Sequence, residues 1–426
     1  MEINLNVYYL FGNQGLSRKK PGAQRAPRKA VHAVQVLKWP PFVLARLSEG
    51  ERVGAGGSRR LCRVGLSPLW WSETVEKLAF GYSFNQPIVG VVWPASLKEL
   101  TFRWGFNQPI EGVVWPACLQ KLSLSWLFNQ PIGQVVWPAS LRDLYFGGYF
   151  NQPIVGVVWP ASLQKLSFGN AFNQPIVGVV WPDSLRSISF RIYFNQPIVG
   201  VVWPTALQGV TFGFTFNQPI VGVVWPTSLE ELTFGRAFNQ PIVGVAWPSS
   251  LQQLSFGRGF NQPIVGVVWP ASLQQLSLGD SFDQPVGEVA WPPSLQQLKF
   301  GRVFNQPVVG AAWPPSLQEL SLGDSFNQPI VGAAWPATLR QLHFGREFNQ
   351  PIVGVVWPAS LQELTFGHEP EEKRKLKFTN EPGARLSRFD CPIVGVVWPP
   401  SLRRLAFGDA FGENRMGGGQ RNRRLC

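Results

Sequence analysis

The chain is poor in the residues that most chemistry needs. Its four cysteines, Cys62, Cys118, Cys391 and Cys426, share no metal-ligand spacing and no disulfide framework. Charged residues make up only 15%. No apolar run approaches the length of a membrane span. The basic cluster near the N-terminus follows the short apolar patch Tyr8 to Phe11 instead of preceding it, which is not the order of a secretory signal. Glu2 excludes N-myristoylation, and Cys426 is not fourth from the end, so prenylation is not indicated. No glycine-rich phosphate loop and no metal-ligand cluster is found. With no signal and no cysteine framework, the expected location is reducing and cytoplasmic.

Tryptophan and proline are abundant instead, 19 and 38 residues, and 45% of the chain is hydrophobic, too much for a disordered chain. The net charge of +13 is unevenly placed. Residues 1–63 carry a surplus of nine positive charges, 368–388 of two and 412–426 of three, which leaves the remainder close to neutral.

That remainder is a repeat. The motif Phe-Asn-Gln-Pro begins at Phe84 and recurs every 22 residues to Phe348; the register returns at Phe389 and ends at Phe411. A degenerate first unit starts near Cys62, because Trp71, Val75, Leu78 and Phe80 sit one period before Trp93, Leu97, Leu100 and Phe102. The consensus is FNQPIVGVVWPASLQQLSFGRG, numbered here from Phe (1) to 22. Leucines at 14 and 17 and Phe or Leu at 19 give L-x-x-L-x-F, and apolar 17 and 19 alternate with polar 16 and 18, the period of a half-buried strand. Glycine at 20 marks a turn. Prolines at 4 and 11 bracket six apolar residues with a glycine inside, too short and too broken for a helix. One coil cannot offset the entropy of ordering 22 residues, so equal coils must stack. The expected fold is mainly β: a leucine-rich-repeat-like solenoid of about fifteen units, one short strand each in a parallel sheet, without long helices.

The run L-x-x-L-x-F-G-x-x-F-N-Q-P-I, followed by W-P-x-S-L, resembles the FNIP repeat, a relative of leucine-rich repeats often joined to an F-box. The resemblance implies a stacked hydrophobic core and a strand side that faces partners. Trp-Pro stands where Ile-Pro or Leu-Pro is expected. Residues 1–61 hold no F-box, since Val36 to Leu47 is short and proline-broken, so no ubiquitin-ligase role is implied. The expected organisation is a basic, mostly disordered segment 1–61, a solenoid 62–367, a charged inserted loop 368–388 with room for a short strand at Leu376 to Phe378, a final repeat 389–411, and a Gly/Arg-rich tail 412–426.

Two recurrent columns are expected to be structural: buried asparagines at position 2 (Asn85, Asn107, Asn129, Asn151), replaced once by Asp283, bonding turn backbone, and tryptophans at position 10 (Trp93, Trp115, Trp137, Trp159) packed as a ladder. The variable positions 21 and 22 hold Tyr82, Trp104, Trp126, Tyr149, Tyr193 and Phe214 in the first half, with Tyr145 beside them, and charges of mixed sign in the second. These aromatics are either a protein-binding strip or a cover for their own turns. His343 should lie between Ser321 and Thr365, with Glu319 and Glu363 diagonal; without a pocket or an oxyanion hole this is set aside as a hydrolase site. Position 18 is too mixed for a flat threonine ice-binding array. The expected function is a monomeric, non-enzymatic protein-interaction scaffold without cofactor or metal. The rival is a nucleic-acid- or membrane-associated protein held by its basic flanks.

Overall fold

A computed structural model describes residues 2–5, 74–367 and 387–407. The described residues form sixteen short strands and no helix. They fall into two compact units, 1–172 and 173–426. The first holds β1 (Glu2–Leu5), β2 (Lys77–Phe80), β3 (Glu99–Phe102), β4 (Lys121–Ser123), β5 (Asp143–Tyr145) and β6 (Lys165–Ser167). The second runs from β7 (Ser187–Ser189) to β16 (Arg404–Ala406). Within each unit every strand pairs in parallel with the next at equal repeat positions, as Glu99 with Lys121 and Gln253 with Gln275. The architecture is thus a parallel β-solenoid with one strand per coil, as the period predicts. One strand stands apart from the repeat: β1 lies parallel to β2, with Glu2 opposite Lys77, inside the segment 1–61 to which the sequence reading assigns no strand. Residues 368–386 and 408–426, and with them the expected strand at Leu376 to Phe378, lie outside the described residues.

Each coil has one strand and three tight turns, and each turn is tied to the coil before it or to itself. In the coil that follows Phe238, Gln252 N and Gln253 N both donate to Glu230 O at 2.9 Å, which launches the strand. Leu251 N donates to Pro248 O at 3.1 Å, and Ser250 Oγ donates to Leu229 O of the preceding coil at 2.7 Å. Val245 N donates to Ile242 O at 3.2 Å, closing a turn whose third residue, Gly244, has φ +85°. Positive φ is costly for any residue with a Cβ, so this turn favours glycine at position 7, where only Gln134 and Glu288 replace it among the described coils. Glycine at 20 answers a different constraint. A Cβ on Gly257 would lie 1.8 Å from Gly235 O of the preceding coil.

The core is a set of columns. In the coil starting at Phe216, Phe216, Ile220, Val223, Trp225, Leu229, Leu232 and Phe234 are all buried. Phe212 and Phe216 stack at 4.2 Å, and Phe216 and Phe238 at 6.1 Å. Spacing between coils grows away from the strands. In the first unit the position-19 rings Phe146 and Phe168 are 5.6 Å apart, Phe128 and Phe150 are 6.1 Å apart, and Trp137 and Trp159 are 6.3 Å apart. Strands pair at ~4.8 Å, so the strand side is the inner side of each unit and the tryptophan side the outer.

Candidate functional site

The asparagine column is a hydrogen-bonded ladder that joins coil to coil. Asn217 Oδ1 accepts Asn239 N at 2.8 Å and Gln240 Nε2 at 3.1 Å, and Asn217 O accepts the same Gln240 nitrogen at 3.1 Å. The pattern repeats from Asn85, Asn107 and Asn129, whose Oδ1 atoms accept Asn107 N, Asn129 N and Asn151 N at 2.8, 2.9 and 2.9 Å. The sequence reading has these side chains buried; most are half-buried, and Asn85, Asn239 and Asn349 are exposed. Full burial is not needed, because the bonds described use the side-chain oxygen on its inward edge. Asp283 shows this directly, accepting Asn305 N at 2.8 Å and Gln306 Nε2 at 3.1 Å. Where Cys391 replaces the glutamine, its thiol takes that role and donates to Asn349 Oδ1 at 3.3 Å. Burial, and secondarily Asp390, hold that thiol above its ordinary pKa. Asn217→Asp is therefore expected to leave stability nearly unchanged. Asn217→Ala strands a backbone amide and is expected to cost about 1–3 kcal/mol. Urea denaturation of both variants checks the order, and equal losses would reject the acceptor role.

The tryptophans Trp93, Trp115, Trp137 and Trp159 are buried, and Trp93 stacks on Trp115 at 6.4 Å. Closed faces of this kind offer no platform to a ligand.

The aromatic strip is more open. Tyr82, Trp104 and Tyr149 are exposed; Trp126 and Tyr145 are half-buried. Trp104 stacks on Trp126 at 5.4 Å, and Tyr149 meets Trp126 edge-on at 6.4 Å. Trp126 also lies flat over Gly148, where a Cβ would come within 2.5 Å of its ring. So Trp126 covers the turn of the next coil, while Trp104 and Tyr149 beside it stand clear. Arg103 sits over Tyr82 at 5.4 Å and Lys121 over Tyr145 at 5.5 Å. Burial, and then Asp143, push the Tyr145 phenol above its ordinary pKa. In the second unit Tyr193 and Phe214 are exposed, and Arg236 covers Phe214 at 5.0 Å. Beyond them position 21 turns to charges that satisfy one another, Arg258 with Asp280 and Arg346 with Asp324, both at 2.7 Å.

The strand face of the second unit carries a shallow depression of about 280 Å³ over β9 (Glu231–Thr233) to β12 (Gln297–Lys299), lined by polar side chains such as Gln253, Ser255, Gln275 and Ser277. His343 pairs with Ser321 and Thr365 as the register predicts. His343 and Thr365 are buried, however, so the trio does not open onto a cleft. Among the described residues no group of three or more His, Cys, Asp or Glu is placed to hold a metal, and no helix is long and apolar enough to cross a membrane. Sequence reasoning missed one surface, two columns of exposed valines at positions 6 and 9 on the outer side. The signal was present in the bracketing prolines and Gly at 7, which turn the chain so that Ile 5, Val 8 and Trp 10 point inward and the valines between them point out.

The family model described as the FNIP repeat matches residues 84–126, 106–149, 128–171, 216–259, 260–303, 291–325, 304–340 and 326–369, more than half of the chain. The chain belongs to the FNIP-repeat family. A search of the curated proteins finds no match. Among solved structures, the FNIP chain is similar to CroV588, described as a novel circular leucine-rich-repeat protein, at 34% identity and TM-score 0.57 over 80% of this chain and 60% of that one. It thus spans about three fifths of that relative's length. The Toll–Spatzle complex of Drosophila is similar in fold alone, at 11% identity and TM-score 0.52, covering 78% of this chain and 51% of that one. The expected leucine-rich-repeat relationship therefore holds, and a repeat fold of this kind suits a protein-interaction scaffold.

Proposed function

We propose that this FNIP-repeat protein is a non-enzymatic scaffold that binds a protein partner along its strand face, with Tyr82, Trp104, Trp126, Tyr145 and Tyr149 as the anchor on the first unit and Tyr193 and Phe214 as further contacts on the second. The observation that carries this is the run of exposed and half-buried rings on successive coils of the first unit, with Trp104 stacked on Trp126 and Tyr149 edge-on to it, edged by Arg103 and Lys121. Aromatic and arginine side chains dominate binding energy at protein interfaces, and contiguous exposed apolar patches mark such sites. Rings already stacked on one another also lose little freedom on binding.

The full chain is the bait, run beside the variant Trp104→Ala/Trp126→Ala/Tyr149→Ala after circular dichroism confirms its fold. A partner held by the parent and weakened at least tenfold in the variant supports the reading, since losing three anchors costs more than the ~1.4 kcal/mol that a tenfold change represents. Equal affinity for both removes the anchor. The rival reading through the basic flanks rests on residues that lie almost wholly outside the described ones; steep loss of binding with added salt is its signature.

A further inference from the structure

The outer side of the coils is apolar to a degree that a solvent-facing surface does not require. Position 9 carries Val92, Val114, Val136 and Val158 in the first unit, and Val180, Val202, Val224 and Val268 in the second, where Ala246, Ala290, Ala312 and Ala334 stand in other coils; most of these valines are about 80% exposed, as Val202 and Val224 are at 81%. Position 6 adds a second column, Val177, Val199, Val221 and Val243 among them, each roughly half exposed. Exposed proline at 4, glycine at 7 and a small residue at 12 fill the space between, as in Pro153, Gly156 and Ala161. Across positions 4–12 no described coil from Phe84 onward carries a lysine or arginine. The acids there are Glu111 in the first unit and Asp183 and Glu288 in the second, so the coils from Phe194 to Phe260 present this face without charge. Monomeric proteins seldom expose contiguous apolar patches beyond a few hundred Å².

We propose that the valine face is a self-association surface, covered in solution by the same face of a second copy. The size is right. Coils are 6.1 Å apart at the Phe216 and Phe238 rings, and nine residues reach at most ~30 Å, so each coil offers on the order of 150 Å². Roughly six adjoining coils then supply the ~800 Å² per partner of a stable interface, the four from Phe194 to Phe260 uncharged and the two flanking them carrying one acid each, Asp183 and Glu288. The chemistry also selects a second copy. A face uncharged over its central four coils meets its own image there without repulsion, as a two-fold, isologous contact requires. Two sets of valine ridges with one period interdigitate, each ridge entering the gap between two coils of the other. Being the outer side of a curved stack, the face docks over a limited run of coils and not along its whole length. A lipid surface is a poorer match. Membrane-surface segments pair apolar side chains with lysine, arginine and interfacial aromatics, whereas the basic side chains here, such as Lys98, Lys121 and Arg142, belong to the strand side and the position-10 tryptophans from Trp93 to Trp357 are buried or half-buried.

The proposal departs from the monomer expected from sequence. Sedimentation of the full chain across the micromolar range is the test, with Val202→Asp/Val224→Asp beside it. Both positions are so exposed that the fold should survive, which far-ultraviolet circular dichroism confirms. The expected result is twice the chain mass for the parent, unchanged by high salt, and the single-chain mass for the aspartate variant. The Trp104→Ala/Trp126→Ala/Tyr149→Ala variant should remain dimeric, which separates this surface from the proposed anchor. A monomeric parent, a variant that stays dimeric, or dissociation by salt alone would overturn the proposal. So would a monomeric parent that floats with neutral phosphatidylcholine vesicles, which would assign the face to lipid.

Discussion

Gly257→Ala is expected to destabilise the protein by about 3 kcal/mol, the upper end of what a single overpacked methyl costs. Its Cβ would stand 1.8 Å from Gly235 O, 2.3 Å from Gly235 C and 2.8 Å from Arg236 N. All three are backbone atoms of the turn beneath, so no side chain can swing aside; the turn itself must move. Gly222→Ala is the control. Gly222 has φ +84°, and nothing lies within 4 Å of where its methyl would stand, so it pays only the left-handed backbone penalty of about 1–2 kcal/mol. Urea denaturation of the two variants should place Gly257→Ala clearly below Gly222→Ala, and the reverse order would refute the steric account. The constraint at position 20 is local. Ser125 and Arg191 occupy it in other coils, and the Ser125 hydroxyl is buried and donates to Phe106 O.

Phe216→Ala should cost about 3–5 kcal/mol. The ring is fully buried, 4.2 Å from Phe212, and stacked between Phe194 and Phe238 at 6.1 Å on either side. Removing it deletes one rung of a continuous column and leaves a cavity that rigid neighbouring coils cannot close. Phe212→Leu, one position-19 ring away, should cost less than about 1.5 kcal/mol, since Leu124, Leu278 and Leu322 already fill that position in other coils. Because each coil touches only its neighbours, the damage should be concentrated nearby. Amide exchange should show faster opening around Phe194 to Phe238 with little change near Phe344. A loss of less than about 1.5 kcal/mol for the alanine variant, or uniform loss of protection, would contradict the column picture.

Much of this fold was legible because a 22-residue period constrains everything at once. The L-x-x-L-x-F alternation places Leu232 and Leu254 inside and their neighbours outside, and the strands fall there. The register that sets His343 between Ser321 and Thr365 follows from counting alone. The burial of His343 does not, because counting gives neighbours in the sheet and not what lies above it. The valine columns were lost for another reason. In Ile-Val-Gly-Val-Val-Trp every residue is apolar or glycine, so composition cannot tell the inward set from the outward one. Only the turn closed by Val245 N and Ile242 O, with Gly244 at positive φ, sorts them. The aromatic strip was visible in sequence, but not its division of labour, in which Trp126 rests on Gly148 while Tyr82, Trp104 and Tyr149 stay exposed. β1 carries no repeat signature, so no periodic argument could reach it.

The asparagine ladder has a further consequence for how such a chain can change. Asp390 N donates to Asn349 Oδ1 at 3.0 Å across 41 positions of sequence, while its counterparts span 22. Phe389 still stacks on Phe348 at 6.1 Å, and Arg404 still pairs with Glu363. The stack counts coils and is indifferent to the contour length between them. A whole coil added or removed presents the same surface to its neighbours above and below, and a foreign sequence entering between Gly367 and Ser387 leaves the next rung to dock unaltered. Copying errors in whole periods, and inserts that enter between coils, are thus structurally silent, whereas a slip of a few residues within a coil would break that coil's contacts with its two neighbours.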